Sequence, residues 1–172
     1  MGAGKSKIGR RLAARLNLPF FDSDREIEIA AGESIEEIFT NRGERVFRDG
    51  ERRVITRLLD QPVHVLATGG GAFMDQTTRE VIERRGVSLW LRAELDVLVS
   101  RVSRRGNRPL LKSGDARAIL SELIEKRYPV YAESDVIVDS SEGSPEFTVT
   151  RAITALASCP LATTPPEAEA EK

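Results

Sequence analysis

The chain has 172 residues, 40% of them hydrophobic and 31% charged, which suits one globular domain with a sizeable core. Its 26 basic and 27 acidic residues leave a formal charge of −1, so no global excess draws nucleic acid or an acidic membrane, and any anion binding must be local. The longest apolar stretches, "VHVLA" and "VSLWL", fall far short of the ~20 residues that cross a bilayer, and no signal peptide opens the chain. One cysteine, Cys159, and one histidine, His64, exclude an intrachain disulfide and a His/Cys metal cluster and point to a reducing cytoplasm.

Gly2-Ala3-Gly4-Lys5-Ser6 is the back half of a phosphate-binding loop, G-x-x-x-x-G-K-[ST], and the run after it, "SKIGRRLAARL", sets Ile8, Leu12 and Leu16 on one helical face. "LPFFDSD" reads as a short strand ending in carboxylates, and "DREIEIAAG" as a helix stopped by Gly32. Ser34 to Glu37 has the capping-box form and opens a helix that carries Ile35, Ile38 and Phe39 inward; a break follows at Gly43. The next helix stripes Phe47, Val54, Leu58 and Leu59, and strand "VHVLA", with His64 as a structural residue, meets three glycines. Beyond these come helix "QTTREVIERRG", strand "VSLWL", helix "ELDVLVSRVSR", a polar segment, and a helix from Ala116 that Pro129 should bend or end. Strand "DVIVD" and helix "EFTVTRAITALA" complete the pattern, and the Pro/Glu-rich tail from Cys159 is expected to be disordered. Alternation of strands with helices predicts an α/β domain with a parallel sheet of four strands, covered on both faces.

Four constellations carry candidate chemistry. In the loop, glycines let backbone N–H groups face phosphate oxygens, Lys5 supplies charge and Ser6 offers magnesium a hydroxyl; a glycine-rich helix cap is the alternative. Asp22 and Asp24 lie at a strand's carboxyl end, where ligands collect in open α/β sheets, and either share work around magnesium and an attacking hydroxyl or merely cap a helix. Gly69-Gly70-Gly71 implies unusual dihedrals, close approach of a ligand to bare backbone, or a flexible turn. Arg48, Arg108 and Arg127 would bind a small anion if they converge, but among 26 basic residues pattern alone does not select them.

The ordered set "GAGKS", "FFDSD", "GERVFRDGE", "TGGGAF", "NRPLL" and "KRYPVY" resembles the shikimate kinase family over residues 1–157. The resemblance implies a three-layer α/β/α P-loop kinase fold over residues 1–158, with a lid at about 105–116, a disordered tail at 159–172, and a parallel sheet of five strands in the family, the first lacking here. It implies ATP-dependent phosphorylation of the 3-hydroxyl of shikimate with Mg2+, in the cytoplasm, with neither nucleic acid nor membrane as partner; a monomer is the default expectation. By match of position, Gly2, Ala3, Gly4, Lys5, Ser6 and Lys7 would bind the nucleotide, and Ser6 and Asp22 would serve magnesium. Asp24 would hold the shikimate hydroxyls and accept the 3-hydroxyl proton, while Arg48 and Arg127 would clamp the carboxylate, with Glu51 orienting Arg48. Gly70 and Gly71 would touch the substrate ring, Arg108 would reach the transferring phosphate, and Arg104 or Arg105 would approach adenine. A gluconate or nucleotide kinase, and a non-catalytic nucleotide-binding homologue, are the alternative readings.

Two departures from the family pattern stand out. Lys7 occupies a position where threonine is common, beyond the phosphate cradle, and should change little. No apolar strand precedes Gly2, so an apolar strand of about ten residues ending in glycine is expected to be encoded upstream of Met1. Without it the product is expected to lose several kcal/mol and to be poorly folded or inactive.

Overall fold

The computed structural model describes residues 2–103, 115–141 and 143–163. Met1, Glu142, Arg104, Arg105, Arg108 and the tail at 164–172 lie outside the described residues.

Helix α1 (Lys5–Leu16) starts from Gly4, whose left-handed φ of 88° turns the chain sharply into the helix. Its buried face is Ile8, Gly9, Leu12 and Ala13; Leu16, expected on that face, is more than a third exposed at the helix end. Gly9 is needed for contact rather than for conformation: a Cβ there would stand 2.8 Å from the Phe20 ring of strand β1 (Phe20–Asp22). Asp22 caps helix α2 (Ser23–Ala31), which Gly32 ends at φ 68°.

The Ser34–Glu37 capping box opens α3 (Ile35–Leu59), a helical run kinked at Gly43 (φ 80°, ψ 169°) where the break was expected. Ile38, Phe47, Val54 and Leu58 bury its inner stripe against Ile27 of α2. Ile55, fully buried, belongs to the same helix and was not foreseen. Phe39 corrects the expected pattern: it is 38% exposed, and its ring lies on Phe47 instead of entering the core.

Strand β2 (Val65–Ala67) pairs parallel with β1, Phe20 opposite Val65 and Asp22 opposite Ala67. A 3-10 turn (Ala72–Met74) and α4 (Gln76–Arg85) lead to β3 (Leu89–Arg92), α5 (Leu95–Ser103) and α6 (Ala116–Tyr131). The helix α6 runs through Pro129 to Tyr131, so the proline neither starts a loop nor stops the helix there. Strand β4 (Val136–Asp139) pairs parallel with β3, and α7 (Pro145–Ala157) follows with Ser144 as its N-cap. The chain beyond corrects the expected tail boundary. Cys159 packs against the core and Pro160–Thr163 forms a further helical turn, α8.

Side chains alternate along β3, and this alternation builds the layers. Leu91 enters a core with Ile8 and Leu12 of α1, Val136 and Val138 of β4, and Val149 and Ala152 of α7. Trp90 points the other way, onto Tyr128 and Tyr131 of α6. The sheet is not continuous: among the described residues it consists of two parallel pairs, β1–β2 and β3–β4. Between them lies a cavity of about 120 Å³, reached by Thr68–Gly70 from one pair and Ser88–Leu91 from the other.

Leu120 (1% exposed) fastens α6 to α5 through Ala93, Leu98 and Val102. Leu120→Ala is expected to cost about 2–5 kcal/mol in urea unfolding, since the cavity has little freedom to collapse. A loss under about 0.5 kcal/mol, the scale of an ordinary surface change, would show that α6 is seated by other contacts.

Candidate active site

The phosphate-loop half of the site is shaped by two left-handed glycines, Gly2 (φ 77°) and Gly4 (φ 88°), which direct the loop around the N-terminus of α1. Lys5 is the first residue of that helix and lines the cavity between the strand pairs. Lys7 is exposed one step further on, and its carbonyl accepts from Arg11. Ser6 Oγ donates to Asp22 Oδ2 at 2.6 Å, so the two residues expected to serve magnesium are in contact. Their oxygens suit a hard cation that keeps several waters and phosphate oxygens in its shell. No cluster of three or more His, Cys, Asp or Glu suited to a metal occurs among the described residues.

Sequence reasoning missed what holds this loop. Arg101 on α5 donates to the carbonyls of Ala3 (3.3 Å) and Ser141 (2.6 Å) and to Ser140 Oγ (2.9 Å), and buried Ser140 Oγ donates to Ala3 O. One arginine among 26 basic residues carries no pattern that would have singled it out.

The other half of the site gathers around Gly69–Gly71. A Cβ at Gly69 would stand 2.8 Å from Glu51 Oε1 and 2.9 Å from Asp24 Oδ1, and one at Gly71 would stand 2.6 Å from Arg48 Cζ. Neither glycine has positive φ; Gly71 sits at φ −94°. The glycines are not needed for a positive φ, and what lies against their backbone is the protein's own side chains, a cause that none of the sequence readings named. Arg127 Nη1 donates to Gly70 O at 3.2 Å, bringing α6 to the same turn. Fully buried Ser23, the middle residue of "DSD", accepts from the Gly69 N–H at 3.2 Å. Asp24, Arg48 and Arg127 thus meet on one three-residue segment.

Arg48 is held on two sides. Its Nη1 donates to Glu51 Oε2 at 2.7 Å, while Nε and Nη2 reach Glu44 Oε1 at 3.3 and 3.2 Å. Burial pushes the Glu51 carboxyl above its ordinary value, and the charges of Asp24 and Asp75 push the same way; Arg48 opposes them. For Arg48, burial acts to lower the value, and the two glutamates together outweigh it and raise it. The two partners shift in the sense of a pair whose desolvation falls mostly on the carboxylate, 3% exposed against 31% for the arginine. Among the described residues Glu51 Oε1 has no hydrogen-bond partner. His64 Nδ1 lies 2.8 Å from Pro62 O, and its ring edge meets Phe21.

A glycine-bordered phosphate loop at a helix N-terminus, a carboxylate pair at a strand's end and two arginines on a glycine turn define a P-loop kinase of small metabolites. A sequence profile described as shikimate kinase matches residues 1–157. Shikimate kinases of Paramagnetospirillum magneticum and Caulobacter vibrioides are 59% and 55% identical over 156 residues, 91% of this chain and 80% and 78% of theirs. A solved shikimate kinase of Acinetobacter baumannii, in complex with shikimate, superposes with a TM-score of 0.86 at 35% identity, covering 94% of this chain and 90% of its own. That of Bacteroides thetaiotaomicron superposes at 0.85 and 32% identity, covering 91% and 94%. The chain belongs to the shikimate kinase family, and the family implies ATP as co-substrate.

The raised Glu51 value makes a prediction about stability. The folded chain keeps this proton to higher pH than the unfolded chain, so its contribution is complete below the unfolded value and is lost as pH rises through the folded one. Glu51→Gln removes that loss. The stability of the variant minus that of the parent is expected to increase from about pH 4 upward toward neutrality, read from urea midpoints. A difference that does not change with pH would show that burial does not govern this carboxyl.

Proposed function

We infer that this chain transfers the γ-phosphoryl group of ATP to the 3-hydroxyl of shikimate, giving shikimate 3-phosphate and ADP, a step toward chorismate and the aromatic amino acids. The observation that carries this reading is the convergence of Asp24, Arg48 and Arg127 on Gly69–Gly71 in a chain of this family. A carboxylate fork beside a carboxylate base suits a substrate with an acid group at a fixed distance from the reacting hydroxyl, as in the shikimate held by the Acinetobacter enzyme.

Phosphoryl transfer asks little covalent help of the protein; it asks for alignment and for neutralisation of the phosphoryl oxygens. Asp24 takes the proton of the 3-hydroxyl as its oxygen bonds to the γ-phosphorus, and the bond to the β–γ bridging oxygen breaks, its electron pair leaving with ADP. Lys5 and the loop amides neutralise the phosphates. Arg48 and Arg127 hold the substrate carboxylate, and the Gly70–Gly71 backbone lies against the ring. Ser6 and Asp22 would hold Mg2+, which supplies further charge neutralisation when bound with the nucleotide. Arg108, from the lid at about 105–116, would close on the transferring group and help exclude water, the competing acceptor. Arg104 or Arg105 would face adenine; all three arginines lie outside the described residues. A cytoplasmic location is expected for the family and a monomer is the default reading; no described helix is long and apolar enough to cross a membrane.

A coupled ADP-release assay with shikimate, gluconate and AMP tests the reading; turnover with shikimate alone is expected, and turnover with AMP or gluconate but not shikimate would overturn it. Asp24→Asn is expected to lower kcat by about 10²–10⁴ while leaving ATP binding intact, and wild-type turnover in this variant would reject the base. Arg127→Ala is expected chiefly to raise the KM for shikimate. An unchanged KM would remove Arg127 from the fork.

A further inference from the structure

The Gly70 carbonyl accepts two side-chain donors, and only one belongs to the fork. Arg127 Nη1 donates to it at 3.2 Å, and the Tyr131 hydroxyl donates to the same oxygen. The two residues are four apart on α6, so they share a helical face and reach the glycine turn together. The Tyr131 ring is seated among Trp90 of β3 (centroids 5.8 Å apart), Tyr128 (6.3 Å) and Phe73 of the 3-10 turn (6.4 Å), which leaves the hydroxyl little freedom to swing elsewhere. Burial pushes its ionisation up, and the Arg127 and Arg48 charges both act on it.

We propose that Tyr131 is a positioning residue for the carboxylate fork: by holding the Gly70 carbonyl, it releases Arg127 to turn its guanidinium to the substrate carboxylate without leaving that carbonyl unpaired. This rests on the assignment of Arg127 to the substrate. The physical reason is an asymmetry. A carbonyl oxygen accepts two hydrogen bonds, and losing one while the other persists is inexpensive, whereas losing the last donor in a half-buried turn carries the full desolvation cost. With Tyr131 present, recruiting Arg127 falls in the first case. Without its hydroxyl, Arg127 is the carbonyl's one remaining side-chain donor among the described residues, and substrate must compete for it.

Steady-state kinetics of Tyr131→Phe test this. The KM for shikimate is expected to rise roughly ten-fold, with kcat and the KM for ATP within about two-fold of wild type. In an Arg127→Ala background the same change should have no further effect on the shikimate KM, because the arginine to be released is gone. Tyr128→Phe, which removes a neighbouring hydroxyl bonded to the Ala93 carbonyl, should leave the shikimate KM unchanged. Phe73→Leu, which loosens the seat of Tyr131 and keeps its hydroxyl, should raise that KM by about two- to three-fold and serves if Tyr131→Phe does not fold. An unchanged shikimate KM in Tyr131→Phe, an equal rise in the ATP KM, or a full effect persisting without Arg127 would overturn the assignment, and so would an unchanged KM in Phe73→Leu. No turnover of shikimate by the wild-type chain would instead overturn the functional reading beneath it.

Discussion

The site depends on one steric constraint, the bare backbone of Gly69–Gly71. Asp24, Glu51 and Arg48 come close enough to this turn that side chains at positions 69 and 71 would occupy their space. The carboxylates and guanidinium can share so small a volume because charges of both signs meet there and because the turn offers N–H and C=O groups instead of methyl groups. Ser23 fixes the turn through the Gly69 amide, and α6 fixes it through the Gly70 carbonyl.

Three consecutive residues, Asp22, Ser23 and Asp24, connect this turn to the phosphate loop. The strand's end and the helix that follows send their side chains to different neighbours: Asp22 to Ser6, Ser23 to Gly69, and Asp24 toward Glu51 and the same glycine. Asp22 also caps α2, accepting from the Asp24 N–H, so it is Asp22 and not Asp24 that opens this helix.

Much of this was legible in the sequence where the physics is local. The capping box at Ser34, the left-handed stop at Gly32 and the kink at Gly43 follow from single residues and their nearest neighbours. The parallel pairing followed from the alternation of elements, although its division into two pairs did not. What escaped was non-local. Tyr131 and Arg101 act across 61 and 98 residues of chain, on carbonyls that have no sequence signature at all. The triple glycine was recognised as special, but its cause, occupation by the protein's own charged groups, needed three helices in place. Phe39 was misjudged because periodicity gives the direction of a face without telling where a helix leaves the core.

Arg48 shows how the two kinds of ion pair divide their work. Its bond to Glu51 joins a carboxylate that is 3% exposed, and breaking that bond would strand a buried charge, so this edge of the guanidinium is fixed. Its contacts with Glu44 join a carboxylate that is 68% exposed, of the kind that contributes little and exchanges readily with water or another anion. In the proposed reaction Arg48 would therefore offer one committed edge and one replaceable edge. The replaceable edge already holds a carboxylate, so in that proposal an incoming acid would exchange one for another and no bare guanidinium would have to be prepared in advance. The Gly70 carbonyl repeats this arrangement on the opposite side of the turn, with Tyr131 as the constant partner and Arg127 as the one that can leave.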